Sequence, residues 1–221
     1  METRAPLLLS AFLIAGMLAV SAWAWPHLPE TARIAVHFDF SGRPNGWMGR
    51  DMALLFAPGA TTVATLAFWL MPYATRHREN LRASAASYHA GWVGMAVVLF
   101  VAHCGIIFAA RGWHIDVPGS TAIVVAFIFI AVGNSLGKSR PNPLVGIRTP
   151  WTRRSDLSWD KSNRVAGRML VATGLATLAT IAAADGHTAH IVMIAGVLLT
   201  AAIAVPLSYI YWRRDPDRRA S

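Results

Sequence analysis

The chain has 221 residues, of which 55% are hydrophobic and only 14% charged, and its formal net charge is +9. A soluble domain of this size needs a charged shell around its core, so the composition excludes an ordinary water-soluble globule and points to lipid as the solvent. A single cysteine, Cys104, excludes an internal disulfide framework and any cysteine-based zinc cluster.

Six apolar stretches follow one another, each near the length that crosses hydrocarbon as a helix. The first, 7–25, is stopped by Pro26. Its Ala22-Trp23-Ala24 resembles a signal-peptidase site, but the stretch exceeds the roughly 7 to 15 residues of a secretory core, so it is expected to stay as an anchor. The second, 52–71, carries Pro58 and is stopped by Pro72. The third, 90–110, holds His103 in mid-span, where an ionisable residue is either a site or a packed, neutral, hydrogen-bonded side chain. The fourth, 121–136, follows Pro118; the fifth, 165–184, ends beside Asp185; the sixth, 191–209, contains Pro206 and leads into a basic tail. The expected fold is an all-α membrane protein with six transmembrane helices, in two modules, 1–72 and 73–221.

Lysine and arginine alternate in number along these crossings. The compartment holding both termini and the 138–168 loop receives sixteen of them, and the other receives four. The positive-inside rule places the first compartment in the cytoplasm, and the expected location is the bacterial cell membrane.

The first outward loop carries an alternation of Ile34, Val36, Phe38 and Phe40, which predicts a short strand with His37 and Asp39 on its other face. Arg43-Pro44-Asn45-Gly46 predicts a turn after Gly42, and Trp47 suits the membrane interface. The expected element is a small extracytoplasmic strand/turn lid.

The loop that follows the fourth span is the densest stretch of the chain. Between 133 and 152 it concentrates three glycines and three prolines with Asn134, Asn142 and Trp151, which predicts an extended or turning backbone. Asn134 and Gly137 end the span, and Lys138, Arg140 and Arg148 offer cations to phosphate headgroups or an acidic protein. Arg148-Thr149-Pro150-Trp151 can set a guanidinium on an indole face. Beyond Pro150, Thr152 or Ser155 can cap a short helix with Asp156 in its first turn. Trp151, Leu157 and Trp159 are expected to lay that helix in the interface, with Lys161, Arg164 and Arg168 toward headgroups.

Read as a motif, Asn134-x-x-Gly137-Lys138-x-Arg140-Pro141-Asn142-x-x-Val145-Gly146-Ile147-Arg148-Thr149-Pro150-Trp151-Thr152, with Trp159 and Arg164-x-x-Gly167-Arg168, resembles the SdpI family of bacterial multi-span proteins. His37-Phe38-x-x-x-Gly42-x-Pro44-Asn45-Gly46-Trp47 is similar to the domain of unknown function commonly N-terminal to it. Asn45 stands where that pattern commonly has Asp, and Asn163 where it has His. The resemblance implies immunity to, or sensing of, a secreted antimicrobial peptide. One dense motif on each side of the membrane leads to the expectation that the outer loop and helices engage the peptide and that the inner loop exposes or hides a docking surface for a cytoplasmic regulator.

The alternative is a transporter or lipid-handling protein, with Arg140 and Arg148 as phosphate clamps and His103 lining a path. No phosphate-cradling Gly-rich loop, His-Glu-x-x-His or Gly-x-Ser-x-Gly string is present, so neither catalysis nor a cofactor is expected. His37, Asp39 and His27 lack a metal-ligand spacing, and nucleic-acid binding lacks a soluble module.

Overall fold

The computed structural model describes residues 2–39, 42–74, 78–184 and 186–218. Phe40 of the expected strand, the loop cation Arg76, Asp185 and the tail's Arg219 lie outside the described residues. In order, the elements are α1 (Arg4–Ala24), a 3-10 turn (Trp25–His27), β1 (Arg33–Phe38), β2 (Pro44–Gly49), α2 (Arg50–Ala74), α3 (Arg78–Ala83), α4 (Ala85–Ala110), α5 (Val117–Leu136), a second 3-10 turn (Thr152–Arg154), α6 (Asp156–Ala183) and α7 (Gly186–Arg213). Among the described residues six helices, all but α3, are long and apolar enough to cross a membrane, and the chain is an all-α multi-pass membrane protein.

Each spanning helix outruns its apolar stretch, because hydropathy marks only the part in hydrocarbon while hydrogen bonding carries the helix on into polar turns. α5 begins at Val117 rather than 121, since Asp116 accepts the Gly119 N–H at 2.9 Å and Pro118 suits the first turn. α6 packs against both α5 and α7, α4 against α5, and α1 and α2 against α4 and each other. Phe12, Val63 and Leu198 remain 74%, 69% and 64% exposed. Such faces are at no disadvantage among acyl chains, which are as apolar as leucine.

Pro72 does not stop α2. Both Pro58 and Pro72 lie inside the helix. A proline has no N–H, so it frees the carbonyl four residues earlier, and in a membrane no bulk water can satisfy that carbonyl. The Ser21 hydroxyl of α1 donates to the Leu54 carbonyl, four before Pro58, at 2.7 Å. With its proton so used, Ser21 Oγ accepts from His103 Nε2 of α4, 2.9 Å away, which fixes that ring nitrogen as protonated. The Tyr88 hydroxyl of α4 donates to the Phe68 carbonyl, four before Pro72. His103 is thus a packed member of a three-helix hydrogen-bond knot, 2% exposed.

Ser21→Ala strands the Leu54 carbonyl and takes one partner from His103, and is expected to cost about 1–3 kcal/mol of stability. Pro58→Ala restores a backbone donor for Leu54, so Ser21→Ala is expected to cost measurably less in that background. Thermal unfolding in detergent across this cycle tests the link; additive effects would refute it.

The strands form an antiparallel hairpin in which Ile34 pairs with Met48, Ala35 with Trp47, and His37 with Gly46. Ile34, 3% exposed, inserts between Leu28, Leu54 and Ile107, so the hairpin rests on the helix ends. Of the expected turn Arg43-Pro44-Asn45-Gly46, the last three residues are instead the start of β2. The chain reverses just before it, where Gly42 adopts φ +74° and Asp39 Oδ1 accepts the Arg43 N–H at 2.9 Å. Gly46 serves a close approach, because a Cβ there would lie 2.9 Å from His37 Cβ. Arg50 and Arg111 fasten this end through the Leu28 and His27 carbonyls at 3.2 and 2.9 Å, and their guanidinium groups lie over Trp25 and Trp23.

Candidate functional site

The opposite end of the bundle is built on a seam without side chains. A Cβ on Gly133 of α5 would stand 2.5 Å from the Gly167 carbonyl oxygen of α6, and a Cβ on Gly167 would stand 2.5 Å from that of Gly133. Gly137 lies one turn on, where a Cβ would be 3.2 Å from Arg164 Cα. Backbones approach this closely only through small residues, and the seam sets where the 137–155 loop leaves the membrane.

The loop is then tied down by buried polar side chains. Asn142 Oδ1 accepts the Leu144 and Val145 N–H groups at 2.9 and 2.8 Å, while its Nδ2 donates to the Arg140 carbonyl at 2.7 Å and Ser84 Oγ at 3.1 Å. Ser84 also accepts the Arg140 N–H at 3.0 Å, and Asn80 of α3 donates to the Pro141 carbonyl at 2.6 Å. Prolines 141 and 143 remove backbone donors from this stretch, so side chains satisfy the carbonyls left over. Leu144 and Val145 follow into the cluster of Leu81, Tyr88 and Trp92.

Gly146 is the point of closest approach. Its φ is +116°, and a Cβ would meet Asn163 Oδ1 at 2.6 Å and Trp159 Cζ2 at 3.1 Å. Asn163, 1% exposed, accepts the Ile147 N–H at 2.7 Å and donates to the Trp159 carbonyl at 2.9 Å. The position asks for one acceptor and one donor. A neutral imidazole also supplies that pair, so the Asn at a site where the resemblance implies His preserves the hydrogen-bonding pattern. Trp159 Nε1 donates to the Ser139 carbonyl at 3.1 Å.

The expected short interfacial helix is not a separate element. Ser155 accepts the Ser158 N–H at 2.9 Å and starts α6, which runs unbroken from Asp156 into the membrane; only the 3-10 turn Thr152–Arg154 precedes it. Trp159, 1% exposed, lies inside the bundle and not in the interface, because its indole N–H has a carbonyl to meet there. Hydroxyls join this corner to α7. Thr149 Oγ1 and Ser208 Oγ are 2.9 Å apart, Ser158 donates to the Ser208 carbonyl at 2.6 Å, and Ser155 bonds the Asp215 carboxylate. Thr152 Oγ1 donates to the Ile147 carbonyl at 2.8 Å.

With the backbone held from behind, Lys138, Arg140, Arg148 and Arg153 face outward. The expected Arg148–Trp151 contact does not form. Arg148 Nη1 bonds the Pro143 carbonyl, and Trp151 packs edge-on against Tyr209 at 5.2 Å between ring centroids. A cleft of about 650 Å³ opens between Pro141, Arg148, Arg153, Trp159 and Val205. Asn134, Lys138 and Arg164 line a separate cleft, over the glycine seam. Of the outer residues, His37, Gly42, Pro44, Asn45, Gly46 and Trp47 come together in the hairpin, where Trp47 is 48% exposed. Sequence reasoning missed Asn80, Ser84, Ser158, Ser208 and Asp215, whose partners lie 50 or more residues away. Only clustering of Ser and Thr at helix ends could have marked them.

Residues 138–210 match the SdpI/YfhL protein family, and residues 12–62 match the domain of unknown function DUF1648. The chain is 23% identical over 208 residues to "Immunity protein SdpI" of Bacillus subtilis (strain 168), covering 94% of this chain and 96% of that protein. No solved structure matches the chain. Both regions are present, and most of the motif-bearing loop lies inside the first of them, so the chain is similar to the SdpI family over that loop and the two helices that follow it.

Proposed function

We propose that this protein is a non-enzymatic immunity or sensor protein of the bacterial cell membrane, acting against a secreted membrane-active antimicrobial peptide. The similarity to an immunity protein along nearly the whole of both chains carries this reading. Both termini and the 137–155 loop lie in the cytoplasm, and the hairpin faces outward. The hairpin with its exposed Trp47 meets the peptide. The loop, with Arg140 and Arg148 outward, presents a cationic surface to a regulator.

α2 is the element that can join the two. One of its proline-freed carbonyls is held near the hairpin by Ser21, the other near the loop by Tyr88. A shift of α2 exchanges side-chain hydrogen bonds at both ends, and such a shift can be driven only by a ligand that binds its two positions unequally. The functional division follows the modules 1–72 and 73–221.

Deleting the gene is expected to sensitise cells to peptide-secreting neighbours, and re-expression to restore survival; unchanged sensitivity would sink the proposal. A reporter joined at Ser221 is expected to be active only in the cytoplasm, and an exported signal would reverse the orientation.

A further inference from the structure

A second cleft, of about 490 Å³, opens at the loop end between α5 and α6, with the glycine seam as its floor. Its rim is Asn134, Lys138, Arg164 and Arg168. All four are exposed. Arg164 is paired with Asp160 at 2.6 Å, but among the described residues neither Lys138 nor Arg168 makes an ion pair. Three cations and an amide therefore surround one hollow with most of their N–H donors unspent and one carboxylate nearby.

What lies beneath decides between a soluble anion and a lipid. Asn134 and Phe127 are seven residues apart on α5, as are Arg168 and Leu175 on α6, so each pair shares a helix face. Phe127 is 58% exposed and Leu175 56%. An open apolar track thus descends from the cationic hollow toward the membrane centre, and Val171 lies at the step between them. A free phosphate would use the rim alone. A molecule with an anionic head and acyl chains uses both.

We infer that this cleft is a binding site for an anionic phospholipid, its phosphate held by Lys138 and Arg168 with Asn134, and its acyl chains laid along Phe127 and Leu175. The inference goes beyond the immunity reading and does not depend on it. Bound there, the lipid covers the α5–α6 seam at the point where the motif loop begins, so the composition of the membrane would bear on how firmly that loop is set.

The test is lipid binding to the delipidated full chain in detergent, by native mass spectrometry with phosphatidylglycerol and phosphatidylcholine. Wild type is expected to retain one phosphatidylglycerol in preference to phosphatidylcholine. A basic side chain near an anionic surface contributes about fivefold in affinity, so Lys138→Gln with Arg168→Gln is expected to weaken that binding about 25-fold. Arg213→Gln with Arg214→Gln, equal in charge loss, is expected to leave it within about twofold. Asn134→Leu, which alters no charge, is expected to weaken it by a smaller factor and serves if the double variant misfolds. Unchanged binding in the first pair, or equal loss in both pairs, would overturn the inference. So would displacement of the lipid from wild type by millimolar inorganic phosphate, which would mark a soluble anion as the occupant.

Discussion

Gly133→Val is expected to lower stability by about 3 kcal/mol or more, the upper range for overpacking, because the obstacle it meets is backbone. An added Cβ would lie 2.5 Å from the Gly167 carbonyl oxygen and 3.0 Å from the Val171 N, and neither can rotate aside. α5 and α6 would have to separate along the whole crossing, which Gly174 continues toward the far side, with a Cβ 2.6 Å from the Ala126 carbonyl oxygen. Gly59→Ala is the control, since a Cβ there meets nothing within 4 Å. A mid-helix alanine gains up to about 1 kcal/mol over glycine, so that variant is expected to melt at or above wild type. Thermal unfolding followed by size exclusion in detergent checks both, and equal melting temperatures would mean the seam is loose.

Gly146→Ala is expected to release the motif loop while leaving the six spans folded. The backbone at φ +116° costs an alanine about 1–3 kcal/mol by itself. The methyl then runs into Asn163 Oδ1, which is already committed to the Ile147 N–H. Gly112→Ala separates the two costs, because that residue has φ +87° but nothing within 4 Å of its Cβ. Trypsin cleavage after Arg148 and Arg153 reports the opening. A loop opened more easily by about 3 kcal/mol is cut about a hundredfold faster, provided opening and closing are fast relative to cleavage. Cleavage no faster than in Gly112→Ala would show that the contact with Asn163 is of no consequence.

Hydropathy was enough to place six spans, because a helix that lies in lipid needs an apolar run whatever its neighbours are. The same signal could not see the polar turns beyond the lipid, so α6 read as a short surface helix followed by a span. Pro72 read as a terminator because in water it often is one. Here Tyr88 satisfies the carbonyl it frees, from a helix whose sequence carries no sign of that partnership. His103 was conspicuous, yet its partner Ser21 lies 82 positions away. The hairpin turn was placed late because Pro-Asn-Gly is a strong local signal, and the Gly42 that makes the reversal is a weaker one. In the loop the string from Gly137 to Trp151 was legible as a unit. Its outward cations were legible too, but not the division between Asn142 and Asn163 holding the backbone and Arg140 and Arg148 facing away.

The bond from Asp215 to Ser155 gives the tail a duty at the start of another helix, since Ser155 is the residue that caps α6. A chimaera grafted directly after Arg213 would remove that carboxylate and leave the cap unbraced, whereas one grafted at Ser221 keeps it. The choice of attachment point for a tag on this protein is therefore a change to the fifth crossing, made from the far terminus.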